Sequence, residues 1–215
     1  MRRVSALLLI LCSSPIYAAP TAQQVVAQVR RNFEKINDYV CEITFAASGP
    51  QLYIGETVVK VYYKKPRSVY FEAKEGFAVL PKDMVFIGDP FAGMADRLST
   101  AKVGSARLNG TDCYLLEFPA GNDESALDAK FWVDKKRRLV VRADMTSADG
   151  GYMNGNITYK KISRKYWLPS IIAIRGKVAM SREGPADFTA EIKFSDYTVN
   201  SGISDKFFKT GGTRK

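Results

Sequence analysis

The sequence has 215 residues, 46% of them hydrophobic, with 32 Lys and Arg against 22 Asp and Glu for a net charge of +10. That length suits one domain with a sizeable core. Histidine is absent altogether, which excludes Ser-His-Asp and Cys-His catalysis and any histidine-containing zinc site. The sequence also lacks a Gly-rich phosphate loop and a pair of Cys-x-x-Cys motifs.

Met1-Arg2-Arg3 leads into an apolar run from Val4 to Leu11, a break at Ser13-Ser14-Pro15, and small residues at Ala18 and Ala19. This is the order of a secretory signal peptide, and the run is too short to span a bilayer. Cleavage after Ala18 is expected, because a cut after Ala19 would place Pro20 directly behind the scissile bond. Cys12 follows the bulky Leu9-Ile10-Leu11, where a lipidation site calls for a small residue. The expected organisation is a leader over 1–18, one domain over 19–209 and a disordered tail over 210–215. The domain is then exported and soluble, in the periplasm or cell envelope. Export argues against nucleic acid, while the basic balance favours anionic lipid or acidic protein surfaces. The compartment permits a disulfide between Cys41 and Cys113. The sequence leaves that bridge and two buried thiols equally open.

Residues 21–36 read as one amphipathic helix. Thr21 and Gln24 form a capping-box pattern, and Val25, Val29, Phe33 and Ile36 recur at helical spacing. From Tyr39 the period changes to two. Tyr39, Cys41, Ile43 and Phe45 share one face, as do Val59, Val61 and Tyr63, and then Val69 and Phe71. Short strands are expected near 77–80 and 84–88. Asn109-Gly110 between 103–108 and 111–118 is a hairpin signal, with Tyr114, Leu116 and Phe118 on one face of the second arm. Further strands are expected near 129–134, 139–147, 155–162, 166–180 and 187–199. Ile172, Ile174, Val178 and Met180 share a face, as do Phe188, Ala190, Ile192 and Phe194. About a dozen strands with short turns predict an up-and-down antiparallel meander. Strands as long as 166–180 predict a curved sheet or barrel.

Two connections exceed hairpin length. Residues 89–102 place Phe91, Met94 and Leu98 on one face of a short helix, which is either a lid or a plug in the core. Residues 119–128 are polar and acidic, as expected of a solvated loop. In a meander alternate turns share an end, so Lys64, Lys65, Lys135, Lys136, Arg137, Arg138, Arg164 and Lys165 gather at one pole. That pole would dock on an anionic membrane or an acidic partner, or simply keep hairpin tips soluble. The face-sharing aromatics Phe45, Tyr63, Phe71, Phe118, Phe131 and Phe194 would line a cavity or fill a packed core. The carboxylates Glu72, Glu75, Glu183 and Asp187 lie in turns or on polar faces and read as surface groups.

The order of motifs resembles a known family. Helix Thr21–Ile36 is followed by Asp38-Tyr39, then by Val61-Tyr62-Tyr63-Lys64-Lys65-Pro66-Arg67-Ser68-Val69. Next come Phe131-Trp132-Val133-Asp134-Lys135-Lys136, Leu139 to Met145, and Tyr166-Trp167-Leu168-Pro169. The stretch Phe194-Ser195-Asp196-Tyr197 to Phe208 closes the pattern. Together, over about residues 21–208, these resemble the outer-membrane lipoprotein-sorting proteins, the LolA-like superfamily. The resemblance implies a mostly β fold with short helices, a curved antiparallel incomplete β-barrel covered by helices. It implies a non-enzymatic carrier that holds acyl chains of lipoproteins, or another lipid, in a hydrophobic interior, with no cofactor. Cargo would meet Phe45, Val61, Tyr63, Phe71, Leu116, Phe118, Phe131, Met145, Ile174, Ile192 and Phe194 beneath a lid of Phe91, Met94 and Leu98. A strand arginine holds the lid in such carriers; Arg67 and Arg142 are the candidates here. A monomer is expected, with a membrane-bound release or acceptor protein as a further partner. The same superfamily includes lipid-responsive envelope sensors, which is the alternative function.

Overall fold

The computed structural model describes residues 19–50, 52–66, 68–73, 89–120, 127–181 and 184–209. The leader, the strands expected near 77–80 and 84–88, Arg67 and the tail 210–215 lie outside the described residues.

Helix α1 (Ala22–Phe33) starts where the sequence predicts. The Thr21 hydroxyl accepts from the Gln24 amide, and the Gln24 side chain accepts from the Thr21 amide. These two bonds satisfy amides that the first turn leaves unpaired. Val25, Val26 and Val29 are fully buried, and Phe33 packs against the same core.

Ten strands form one antiparallel sheet: β1 (Asp38–Gly49), β2 (Leu52–Lys64), β3 (Ser68–Ala73), β4 (Lys102–Leu108), β5 (Thr111–Phe118), β6 (Asp128–Asp134), β7 (Val140–Thr146), β8 (Tyr152–Ile162), β9 (Tyr166–Ser181) and β10 (Gly184–Val199). Their order is β3-β2-β1-β10-β9-β8-β7-β6-β5-β4. The expected simple meander therefore needs one correction. The chain runs β1 to β3, crosses to the far edge at β4, and returns strand by strand until β10 pairs with β1. The physical reason lies in β1, whose alternate residues Tyr39, Cys41, Ile43, Phe45 and Ala47 are all buried. A strand so buried needs a partner on both edges. β10 supplies one, with Ile43 opposite Phe194 and Phe45 opposite Ile192. Among the described residues β3 and β4 are the two edges, and the barrel is incomplete.

Register shifts at Val40/Glu42, Phe45/Ala47, Trp132/Val133 and Thr158/Tyr159 mark bulges, which bend strands and raise their twist. Such bends let the 16-residue β9 and β10 coil around the core. Gly176 marks one close approach on the inner face. A Cβ there would lie 2.5 Å from the Phe188 ring and 2.8 Å from the Tyr152 carbonyl oxygen. The Asn109-Gly110 turn has φ of 47° and 80°, the left-handed pair of a tight hairpin.

The sheet ends form two rims. At one rim lie the β2–β3, β4–β5, β6–β7 and β8–β9 turns, together with the end of α1. A helix α2 (Asp205–Lys209) packs outside β2 and β3 there: its Phe207 ring centroid is 4.6 Å from that of Tyr62 and 5.4 Å from that of Tyr70. The opposite rim carries the two long connections. No helix among the described residues is long and apolar enough to cross a membrane.

Candidate functional site

The concave face is apolar along its length. Phe45, Val61, Tyr63, Leu116, Phe118, Phe131, Ile174, Ile192 and Phe194 are buried there, and Phe71 and Met145 are partly buried against the same cluster. The strand residues of the sequence-derived cargo set thus lie on one continuous face. α1 crosses that face and fills part of it with Val25, Val26 and Val29.

The connection 89–102 forms a short 3-10 helix over Ala92–Arg97. Its residues face inward as the spacing predicts. Phe91 is fully buried, and Met94 and Leu98 pack against the core. The Phe91 ring sits 4.9 Å from that of Phe131 and 6.3 Å from that of Phe118, centroid to centroid; Phe118 and Phe131 meet edge-on at 5.6 Å. Aromatic edge-to-face pairs add to their area of burial. Phe91 therefore plugs the barrel at the lid rim.

Polar contacts hold this lid down. Arg97 Nη2 donates to the carbonyl oxygens of Phe118 at 2.7 Å, Pro119 at 2.6 Å and Leu127 at 2.7 Å, while Nη1 donates to Met94 Sδ at 3.5 Å. Arg97 Nε is buried with no partner among the described residues. Arg30 of α1 pairs with Asp89 at 2.7 Å, and Gln23 donates to the Leu98 carbonyl at 3.2 Å. The lid is thus clipped to the β5–β6 connection and to α1.

Among the described residues the arginine that ties down this connection is Arg97, within the connection itself; of the two strand candidates, Arg67 lies outside the described residues. Arg142 lies on the outer wall. It pairs with Asp144 through two bonds, at 2.8 and 2.9 Å, and stacks on Trp132 at 5.3 Å. The signal for Arg97 was local: an Arg three residues after Met94, one helical turn on, beside the exposed Asp96.

The opposite rim is latched more firmly. The Asn32 side chain donates to the Arg137 and Arg138 carbonyls, tying α1 to the β6–β7 turn. Lys65 Nζ donates to the Glu34 carbonyl, and Asn200 donates to the Lys35 carbonyl and to Tyr166 Oη. Buried Asp38 accepts from the Ser201 amide and hydroxyl and from the Gly202 amide at 2.7–3.0 Å. Here α1 acts as a crossbar between β1–β2 and β6–β7.

The eight basic residues of the expected pole do gather at this latched rim, but they are not equivalent. Lys64 is bound to the Ile203 carbonyl at 2.6 Å and to Asp205 at 2.7 Å. Lys65 caps the end of α1. Lys135 reaches Ser105 Oγ at 2.9 Å, and both it and Arg138 stack on Tyr114. Lys136, Arg137, Arg164 and Lys165 are exposed.

Three tyrosines and both cysteines near the interior are held neutral. Burial, reinforced by charge on neighbouring groups, pushes Tyr39 and Tyr197 up, and burial alone does so for Tyr159. Burial pushes the Cys41 thiol up to about 12. Cys113 is also raised, first by burial and then by Asp134 and Asp112. Both cysteines are free thiols, so the pair is not bridged.

A concavity of about 710 Å³ lies on the outer wall, with exposed Tyr53, Arg142, Asn154, Asn156, Arg175 and Glu191 among its lining residues. These groups alternate with Ala46, Ala47, Ile54, Ala173, Ile174 and Ala190, so the lining is about equally polar and apolar.

No family model and no curated protein matches the sequence. Solved structures match its shape. A LolA superfamily protein from Nitrosomonas europaea is 13% identical with a TM-score of 0.60. An outer-membrane lipoprotein-sorting protein domain from Vibrio parahaemolyticus is 16% identical with a TM-score of 0.58. A DUF1329 family protein from Desulfovibrio piger is 16% identical with a TM-score of 0.57. In each case the match covers 88% of this chain and 98% of the other. At such identities the likeness is one of architecture: this chain has the LolA-like fold, an open curved β-barrel with helices inside its concave face.

Proposed function

We propose that the protein is a carrier in the periplasm or cell envelope that reversibly buries the acyl chain of a lipoprotein, or of another lipid, inside the barrel. The observation that carries this reading is the Phe91 lid. An apolar ring plugs an apolar interior, and it is held there by a few polar clips to carbonyls. Cargo displaces Phe91, Met94 and Leu98, then contacts the strand-face residues Phe45, Val61, Tyr63, Phe71, Leu116, Phe118, Phe131, Met145, Ile174, Ile192 and Phe194. Each buried methylene contributes about 0.8 kcal/mol, so roughly ten of them supply about 8 kcal/mol. That is comparable to what re-exposing Phe91, Met94 and Leu98 costs, at about 1.5–3 kcal/mol each, so longer chains displace the lid more readily. Met94 and Met145 adapt to chains of different shape. Release follows from the same balance: an acceptor or release protein that favours the closed lid lowers cargo affinity. No covalent step and no cofactor enters.

The leader over 1–18 would deliver the domain across the inner membrane. Native mass spectrometry of the protein purified from an envelope fraction tests the reading. A bound species that fragments to a lipid or acylated peptide is expected. A bare mass that persists after incubation with lipids and a diacyl lipopeptide would refute it.

A further inference from the structure

We propose that the latched rim is a docking surface for an anionic lipid bilayer, with Lys136, Arg164 and Lys165 as its charged contacts and Trp167 beside them. The observation is independent of the cargo reading.

Among the described residues the latched rim is the more basic end. It holds those exposed cations, together with Arg31, Lys35 and Lys161, against exposed Glu34 and Asp112. Its buried carboxylates are already committed. Asp38 is bound to the Ser201 and Gly202 groups, and Asp134 accepts from the Lys136 and Arg137 amides and from Arg137 Nε. Exposed Asp205 pairs with Lys64, and Asp112 lies 4.0 Å from Arg107. The lid rim carries Asp89, Asp96, Asp128 and Asp149 beside Lys102 and Lys130, and its two nearest arginines, Arg30 and Arg97, are bound in the lid clips. Such a molecule turns its latched rim towards a negative surface.

An aromatic group sits within the cations. On the outer wall Trp167 lies between Arg137 at 6.0 Å and Lys161 at 5.8 Å, and Tyr166 lies under Lys165 at 4.9 Å. Trp and Tyr favour the headgroup level of a membrane.

The turns themselves bear on its test. Ser163 and Arg164, with φ of 49° and 56°, form the tip of the β8–β9 hairpin, closed by the Lys165 amide on the Ile162 carbonyl at 2.9 Å. Arg138, with φ of 58°, holds the corresponding left-handed site in the β6–β7 turn. Asn or Gly is cheaper at such positions, and the neighbouring β4–β5 tip uses Asn109-Gly110. Arg138 is partly buried over Tyr114, whereas Arg164 stands exposed at a tip where the backbone favours another residue, so its replacement by Asn separates binding from stability.

β3 starts at this rim and β4 ends there. A docked barrel therefore stands with β3 and β4 rising from the bilayer.

Co-sedimentation with phosphatidylglycerol and phosphatidylcholine vesicles tests the proposal, using the exported protein and the triple variant Lys136→Ser, Arg164→Asn, Lys165→Gln. The native protein should bind phosphatidylglycerol selectively and lose binding as salt rises. Each lost cation should lower partitioning about fivefold, so the triple variant should fall by about 100-fold. Arg164→Asn alone should bind less tightly while melting at an equal or higher temperature, an outcome that damage to the fold would not produce. Equal binding of native protein and triple variant would overturn the proposal. So would equal binding to both lipids, or capture only by an acidic protein. Lipid content read by mass spectrometry on the same samples separates the two ideas. Cargo retained without vesicle binding defeats docking alone, and vesicle binding without cargo defeats the carrier reading alone.

Discussion

Phe91 meets Phe131 edge-on, ring centroids 4.9 Å apart, and through this contact the lid connection becomes part of the core. Phe131 belongs to a strand paired on both sides, whereas Phe91 belongs to a connection with no strand pairing, which the carrier proposal requires to undock. The two rings should therefore respond differently to truncation. Phe131→Ala should cost about 3–5 kcal/mol, as large core deletions do. Phe91→Ala should cost less than half of that and should raise affinity for a fluorescent fatty acid. Urea melts and a probe titration check both halves.

Arg97 bridges three carbonyls with one nitrogen of its planar guanidinium, a charged donor set that a shorter, neutral amide does not reproduce. Arg97→Gln should leave global stability within about 1 kcal/mol, because the affected contacts are at the rim. Amide exchange at Met94 and Leu98 should quicken by at least about tenfold. Hydrogen exchange followed by mass spectrometry reads both, and unchanged exchange at the lid would show that Arg97 is not its clip.

Gly176→Val should destabilise the fold by about 1–3 kcal/mol, since the new side chain meets Phe188 and the Tyr152 carbonyl where neither has room. Gly93→Ala has open space around its Cβ and should be close to neutral. Thermal melts of the pair provide the comparison.

Burial raises the carboxyl pKa of Asp134, but amide hydrogen bonds from Arg137 and Lys136 and the Arg137 side chain outweigh it, so the net shift is downward. A lowered carboxyl stabilises the fold above its unfolded pKa, about 3.9, and that contribution is lost as pH falls through the folded value. Acid unfolding should therefore steepen below about pH 4. Asp134→Asn should flatten that limb and leave the region above about pH 6 merely offset. Melting temperature against pH is the measurement.

With its pKa near 12, Cys41 carries almost no thiolate at neutral pH. Neither Cys41 nor Cys113 should react with a thiol reagent in the native protein, and both should react at once in denaturant.

Much of the molecule is legible in its sequence because local rules and global packing agree. The Thr21/Gln24 box, the period-two faces of β1 and β2 and the Asn109-Gly110 turn each name one structure. The β1–β10 pairing was not legible, since a meander and this arrangement give β1 the same alternation. α2 also escaped notice. Phe207 looks like a tail residue until Tyr62, on the polar-looking face of β2, is seen to need a cover. Within the candidate site the lid spacing of Phe91, Met94 and Leu98 was readable. The partners of Arg97 are backbone carbonyls, and no side-chain pattern announces those.

The most direct test of the carrier account is saturable binding of a fluorescent fatty acid to the purified protein, followed by competition with palmitate and a diacyl lipopeptide. One-to-one binding with a blue-shifted probe, released by both competitors and tightened by Phe91→Ala, is the predicted result. Absence of saturable binding in both the native protein and Phe91→Ala would contradict an interior that accepts cargo.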